Sequence, residues 1–247
     1  MSILIFILGL LIGSFLNHSI NRIPNKESIA FMPIRCASCN TRLKFWDLIP
    51  VLSYIVYKGK CRHCLEKISI RYPIIELMNG LIYLYLYGKF GPSVEMVMYS
   101  ILSSLLIVIT LIDLYTQEIP EELNIFGLVI GIVFLLLNFS MGNLISSGLG
   151  LLLGGGLFLI IASVSGGAMG GGDIKLMGVL GFWFGWKLIL LLSILSFIIG
   201  AFASLLLIAL KMKSLKDYIP YGPFIAVAAM IIIFCGSDLI SWYLSGL

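Results

Sequence analysis

Long apolar runs separated by short polar stretches dominate the chain. Residues 2–20 contain no Lys, Arg, Asp or Glu. A helix rises about 1.5 Å per residue, so about 20 apolar residues cross a hydrocarbon core of about 30 Å. Further apolar runs of suitable composition cover about 73–88, 94–112, 123–140, 143–165, 174–186, 187–210 and 222–246. The pattern predicts an all-α polytopic membrane protein with about eight transmembrane helices.

The stretch 174–210 is too long to be one span, because a helix of that length would measure about 55 Å. Gly181, Gly185 and Lys187 mark a turn that divides it into two spans. The first piece is short, so seven spans and a re-entrant segment are the alternative. Fourteen of the 26 glycines lie between 142 and 185, and glycine lets membrane helices approach closely.

Composition supports a membrane location. The chain is 60% apolar and 11% charged, whereas a soluble domain is roughly half apolar and about a quarter charged. These values argue strongly against an ordinary soluble enzyme. They exclude a disordered chain and a secreted disulfide-rich miniprotein.

The charge is distributed unevenly. Residues 21–72 hold ten of the sixteen Lys and Arg but only three of the twelve acids, whereas the whole chain has a net charge of +4. Basic loops stay in the cytoplasm, so we expect 21–72 and the loops near 113–122, 166–173 and 211–221 on the cytoplasmic side. The predicted organisation is therefore a first transmembrane helix (1–20), a cytoplasmic loop (21–72) and a transmembrane body (73–247).

Two Cys-x2-Cys pairs lie in the cytoplasmic loop: Cys36 with Cys39, and Cys61 with Cys64. Four thiolates so arranged complete a tetrahedral zinc site, and a closed shell of four thiolates has a structural role. Disulfides and free thiols are the alternatives, although a reducing cytoplasm disfavours disulfides. We expect His63 to stay outside the metal's ligands. Cys235, in the last span, is predicted to be a small core residue.

Two aspartates stand at predicted cytoplasmic ends of spans. Asp113 ends an apolar run, and Asp173 follows three consecutive glycines. Two adjacent carboxylates can share one proton, with one polarising a water and the other donating to a scissile carbonyl, as in aspartic proteases. Two unrelated interfacial acids, one of them paired with Lys175 or Lys211, are the alternative. Glu76, inside the second span, is assigned a structural or substrate-contacting role.

The combined motifs resemble the type 4 prepilin peptidases, a bacterial family of aspartic peptidases that are often also N-methyltransferases. The resemblance runs nearly end to end. One departure is Pro120-Glu121, where the family usually has Pro-Asp. The matching segments are 13–17 with 22–24, the two cysteine pairs enclosing 46–54, then 68–77, 112–114 with 119–120, 170–176 and 219–224.

The resemblance implies a function and its residues. Asp113 and Asp173 would form the catalytic dyad, which removes a basic leader after Gly from prepilins or pseudopilins at the cytoplasmic face of the bacterial inner membrane. Bifunctional members then methylate the new N-terminus from S-adenosylmethionine. The cysteine-bearing loop is linked to that activity and to zinc, so its presence favours the bifunctional form, with the methyltransferase residues unassigned.

Other classes of function remain as alternatives. A small ion or proton-coupled transporter with a structural zinc loop would use the two aspartates for ion passage, and a peptidase lacking methyltransferase activity is a further alternative. We expect the basic loop to contact anionic lipid headgroups of the bilayer, and no nucleic-acid partner.

Overall fold

The computed structural model describes residues 1–27, 36, 38–39, 41–42, 45–167, 169–214 and 217–245. Arg35 and Lys44, which contribute to the basic charge of 21–72, lie outside the described residues. Elsewhere the chain is almost entirely helical. Its α-helices are α1 (Ser2–Arg22), α2 (Leu52–Val56), α3 (Arg71–Phe90), α4 (Val94–Thr116), α5 (Glu121–Leu137), α6 (Met141–Val164), α7 (Gly171–Ala209) and α8 (Gly222–Ser245), with a short 3-10 helix at Phe45–Leu48.

Gly185 interrupts α7 with φ 75° and ψ 175°. Only glycine enters this backbone region readily, so the residue divides α7 into two helical segments, as the sequence predicts. With α7 counted as two, the described part of the chain has eight long helical segments. Helices α1, α4, α6 and α7 are long and apolar enough to cross a membrane, and the others are shorter or less apolar. The predicted all-α membrane architecture is confirmed.

The chain divides into two compact units, 1–108 and 109–247, at a point inside α4. In the first unit α1 packs directly on α3. A Cβ added to Gly13 would lie 2.7 Å from Glu76 Cα, and one added to Gly9 would lie 2.8 Å from Gly80 Cα. Glycine therefore allows the two backbones to touch, which is a common basis of helix pairing in membranes.

A buried polar chain ties the helices of the first unit together. Asn79 Nδ2 donates to the Gly9 carbonyl at 2.7 Å, and Ser104 Oγ donates to Asn79 Oδ1 at 2.9 Å. Tyr83 completes the chain with a 3.1 Å hydrogen bond to Ser104. Polar groups surrounded by apolar material need such partners, so this chain specifies how α1, α3 and the first part of α4 pair.

The second unit is built around the contact of α6 with α7. A Cβ on Gly150 would overlap the Gly181 carbonyl, and one on Gly154 would overlap the Met177 carbonyl. Helix α5 joins through Trp183, whose Nε1 donates to the Gly127 carbonyl at 2.8 Å. Gly150, Gly154 and Gly181, within the glycine-rich part of the sequence, therefore serve close packing.

The expectation for Cys235 was wrong. Its side chain is exposed on α8, where a small apolar residue facing lipid carries no cost. Burial in a core is therefore not the reason for a cysteine at this position.

The contact of α6 with α7 predicts the effect of one added methyl group. Gly150→Ala should lower the free energy of unfolding by about 1–3 kcal/mol, the usual cost of overpacking, because its Cβ meets the Gly181 backbone. The measurement is thermal or denaturant unfolding in detergent. Gly148→Ala is the matched control, since nothing described lies within 4 Å of its Cβ. Equal unfolding of both variants would contradict the packing described here.

Candidate functional site

The four cysteines of segment 21–72 converge in the first unit. All four sulfur atoms lie within 4.8 Å of one another, and Cys36 Sγ is 3.8 Å from Cys64 Sγ. In a tetrahedral site with metal–sulfur bonds of about 2.3 Å, sulfur atoms are about 3.8 Å apart. A disulfide bond is about 2.05 Å long, and all four thiols are free. The cluster could hold a metal ion, and its donor set is consistent with zinc.

The two Cys-x2-Cys turns have the same backbone arrangement. Cys36 N donates to the Thr41 carbonyl at 3.0 Å, and Cys61 N donates to the Glu66 carbonyl at 2.8 Å, so both bonds join a cysteine to the fifth residue after it. Hydrogen bonds from the side chain and then the backbone of Thr41 lower the pKa of the Cys39 thiol to about 6. Since metals bind the thiolate, this turn favours the binding form. His63 is exposed and is not among the clustered ligands.

Asp113 and Asp173 meet in the second unit. Asp113 lies near the end of α4 and Asp173 in the first turn of α7, with 3% and 4% of their surfaces exposed. The two carboxylates lie close enough to interact electrostatically. The structure therefore brings together two residues that are 60 positions apart in the sequence.

Different contacts surround the two carboxylates. Gly222 N donates to Asp113 Oδ2 at 2.9 Å, which orients that carboxyl group and favours its ionised form. Asp173 Oδ1 is buried with no hydrogen-bond partner, which leaves it available to a reactant. Asp113 is thus held by a hydrogen bond, and Asp173 has a free carboxyl oxygen. Two carboxyl groups in this condition suit general acid–base catalysis in which the pair shares one proton.

Glycine is required on both sides of this pair. A Cβ on Gly222 would lie 2.6 Å from Asp113 Oδ2, and one on Gly172 would lie 2.9 Å from Ile119 Cβ. The segment 219–224 is one of the motifs of the sequence, but its pattern alone indicates no role for Gly222. The Gly-Pro pair at the start of α8 was the available signal, because glycine there allows the close backbone approach.

Tyr218 was missed by the sequence analysis, since an isolated tyrosine in a polar loop has no distinguishing pattern. A Cβ placed on Gly170 would lie 3.1 Å from Asp173 Oδ2 and 3.9 Å from the Tyr218 hydroxyl. Burial raises the pKa of Tyr218, and the nearby Asp173 and Asp113 carboxylates raise it further. Tyr218 is 45% exposed, so it lies near the carboxylate pair and is also open to solvent.

Charged residues near the pair are arranged around its edge. Lys175 forms an ion pair with Glu121, instead of the pairing with one of the two aspartates that the alternative interpretation requires. Glu118 and Glu122 are exposed. Negative charge therefore borders the site on the side of α5.

Comparisons with known proteins cover both units. Residues 7–90 match the model of the Bacterial Peptidase A24 N-terminal domain, and residues 100–205 match that of the Type IV leader peptidase family. The four cysteines fall in the first match and both aspartates in the second. No solved structure matches the chain.

Several curated relatives carry the name "Prepilin leader peptidase/N-methyltransferase". One from Bacillus subtilis (strain 168) is 34% identical over 98% of this chain and 97% of its own length. Others from Aeromonas hydrophila and Pseudomonas putida are 31% and 30% identical, over 98% and 94% of this chain and 93% and 90% of their own lengths.

The position of Tyr218 leads to a spectroscopic prediction. Asp173→Asn removes a negative charge that disfavours tyrosinate, so the Tyr218 pKa should fall but stay above that of a free tyrosine, since burial persists. The measurement is a 13Cζ-tyrosine NMR titration, in which Tyr218→Phe identifies the resonance. Glu122→Gln, which removes an exposed acid, should leave the titration unchanged. An unaltered titration in Asp173→Asn would place Tyr218 away from the carboxylates.

Proposed function

The chain belongs to the type IV leader peptidase family, and from that membership we propose that it is a membrane aspartic endopeptidase that is also an N-methyltransferase. The substrates are prepilins or pseudopilins, cut after Gly at the end of their basic leader. The observation that carries the proposal is the buried pair Asp113 and Asp173 inside the matched peptidase segment.

The contacts of the pair suggest how its two members divide the work. Asp113, oriented by the Gly222 N–H, is the ionised member and takes a proton from the attacking water. Asp173, whose Oδ1 lacks a partner, holds the shared proton and donates it to the scissile carbonyl oxygen. The proton taken from water then passes to the leaving amine, so the peptide bond breaks without a covalent intermediate.

The charge pattern supports cleavage at the cytoplasmic side of the membrane. We place residues 21–72 and both aspartates at the cytoplasmic face of the bacterial inner membrane, because the excess of Lys and Arg lies in that segment. A pilin precursor with its apolar helix in the bilayer and its basic leader in the cytoplasm presents its cleavage site at the same level. The exposed Glu118 and Glu122 would attract the leader's Lys or Arg.

The second activity belongs in this proposal to the first unit. The segment 21–72 would be the methyltransferase part, following the first transmembrane helix at 1–20, and the peptidase body would occupy 73–247. Cys36, Cys39, Cys61 and Cys64 would hold a structural zinc that stabilises a segment too small to build its own core. S-adenosylmethionine would supply the methyl group for the new N-terminal residue. Membership in a peptidase family weighs against the transporter alternative.

Removing either catalytic carboxylate tests the peptidase proposal. Asp113→Asn or Asp173→Asn should reduce cleavage of a purified prepilin by about 100-fold or more, because the pair can no longer exchange its proton. Asp238→Asn, the same substitution at an exposed acid on α8, is the control and should cleave at the normal rate. Normal cleavage by either dyad variant would refute the mechanism.

The same variants separate the two activities. Given a pilin peptide that already ends in the mature residue and labelled S-adenosylmethionine, both dyad variants should still transfer label. Absence of transfer by the unmodified chain would refute the methyltransferase assignment and leave the peptidase assignment intact.

Metal content tests the four-cysteine site. The purified chain should contain one zinc ion, and Cys61→Ser, which alters the most buried of the four ligands, should remove it. Chelation should expose residues 36–64 to proteolysis, and added zinc should reverse the change, since a site of this type stabilises the fold around it. Elemental analysis and limited proteolysis are the measurements. Cys235→Ser is the matched control, and full zinc content in Cys61→Ser would contradict the site.

A further inference from the structure

Glu76 is a buried carboxylate for which the peptidase mechanism has no use. It lies on α3 in the first unit with 7% of its surface exposed. Val51 N donates to its Oε2 at 2.8 Å, and the Ser14 side chain forms a second hydrogen bond. Among the described residues no Lys, Arg or His forms an ion pair with it. Two neutral donors orient the carboxylate but leave its charge uncompensated, and a charge buried among membrane helices is costly unless function requires it.

Asn17 places a free acceptor on the same helix pair. Its side chain is 1% exposed. The amide Nδ2 donates to the Gly13 carbonyl at 3.3 Å and to the Tyr72 carbonyl at 3.1 Å. Those two bonds fix the amide's orientation, and Oδ1 is left buried without a partner. An acceptor in this condition costs free energy unless a donor arrives from elsewhere.

The two acceptors lie on neighbouring turns where α1 faces α3. Ser14, which bonds Glu76, is one turn before Asn17, and Tyr72, which bonds Asn17, is one turn before Glu76. Gly13 brings the helices together here, since its added Cβ would lie 2.7 Å from Glu76 Cα. The place where α1 faces α3 therefore holds the Glu76 carboxyl group and, on the neighbouring turn, an amide oxygen that still lacks a donor.

Val51 connects this place to the four-cysteine segment. It precedes α2, has φ +60° and lies between the two cysteine pairs in the sequence. Its N–H contact with Glu76 is thus where the metal-binding segment attaches to the membrane helices. Anchoring alone would need a hydrogen-bond acceptor, which a neutral glutamine also provides, so anchoring does not explain the charge.

We propose that Glu76 and Asn17 Oδ1 bind the cationic group of a methyl-transfer reactant. Both reactants carry one: the new pilin N-terminus is an ammonium, and the methyl donor contains a sulfonium. A carboxylate with an adjacent amide oxygen, held in an apolar setting, attracts either group and repels anions. This inference rests on the proposed methyltransferase function and assigns it residues in the first unit.

The test is Glu76→Gln, which removes the charge and keeps both hydrogen bonds, because Gln Oε1 can accept from Val51 N. A charge-assisted hydrogen bond contributes enough that its loss should weaken binding of one reactant by about 10- to 100-fold. The measurements are the KM for a mature pilin peptide and equilibrium binding of labelled S-adenosylmethionine and S-adenosylhomocysteine. Cleavage of a prepilin and zinc content should stay normal.

The binding measurements distinguish the two sources of the cation. A raised KM for the peptide identifies the ammonium. Weaker binding of S-adenosylmethionine with unchanged binding of S-adenosylhomocysteine, which lacks the positive sulfur, identifies the sulfonium. Glu76→Asp keeps the charge and should recover part of the loss. Glu95→Gln, which neutralises another acid of the same unit, is the matched control and should change nothing.

Two results would overturn the inference. One is label transfer and reactant binding in Glu76→Gln equal to those of the unmodified chain. The other applies if Glu76→Gln misfolds and thereby loses zinc or cleavage. In that case the test variant is Asn17→Leu, which removes the free acceptor and keeps the branched shape of the side chain, and normal binding of both reactants by this variant would overturn the inference. An unmodified chain that transfers no label would instead refute the proposed methyltransferase function itself.

Discussion

The structure depends on places where helices approach until backbone meets backbone, and glycine is the residue that permits the approach. Gly150 and Gly181 bring α6 and α7 together, and Gly13 brings α1 onto α3 at Glu76. Gly222 permits a similar close approach at the carboxylate pair. Its N–H reaches the Asp113 carboxylate because glycine has no side chain to intervene. In lipid, apolar burial does not drive helices together, so contact distance and hydrogen bonds decide which helices pair.

Both units contain buried polar groups, some with hydrogen-bond partners and some without. In the first unit Asn79, Ser104 and Tyr83 satisfy one another, whereas Asn17 Oδ1 and Ser103 Oγ are buried without a hydrogen-bond partner. In the second unit the corresponding atoms are Asp173 Oδ1 and Asn124 Oδ1. A reactant that donates a hydrogen bond to Asn17 Oδ1 or Asp173 Oδ1 would remove the free-energy cost of that unpartnered oxygen.

Much of the fold could be predicted because apolar run length is a strong signal in a membrane protein. The helices follow the predicted runs closely, and Gly185 divides α7 where the length argument required a break. The cysteine spacing likewise predicts a cluster, because two short turns can present four thiols to one point. Asp113 and Asp173 could be singled out, since acids are rare at the ends of apolar runs.

Other parts of the sites were beyond the sequence because they depend on which helices are neighbours. Tyr218 lies beside the carboxylates only through the packing of the loop before α8, and Gly222 gains its role only once that loop meets α4. Cys235 shows the opposite error: an apolar span does not reveal which of its sides faces the protein. Glu76 was recognised as unusual, but its bond to Val51 joins segments whose proximity no pattern indicates.

The break at Gly185 leaves Asp173 on a helical segment of only about 20 Å, from the start of α7 to the residue before the break. The rest of α7, after Gly185, is long enough to account for most of a bilayer on its own. The segment before Gly185 therefore sets the depth of the Asp173 carboxylate. The segment after Gly185 sets the thickness of membrane that α7 can span. In a thicker or thinner membrane, the segment after Gly185 can differ in length while the position of Asp173 stays the same.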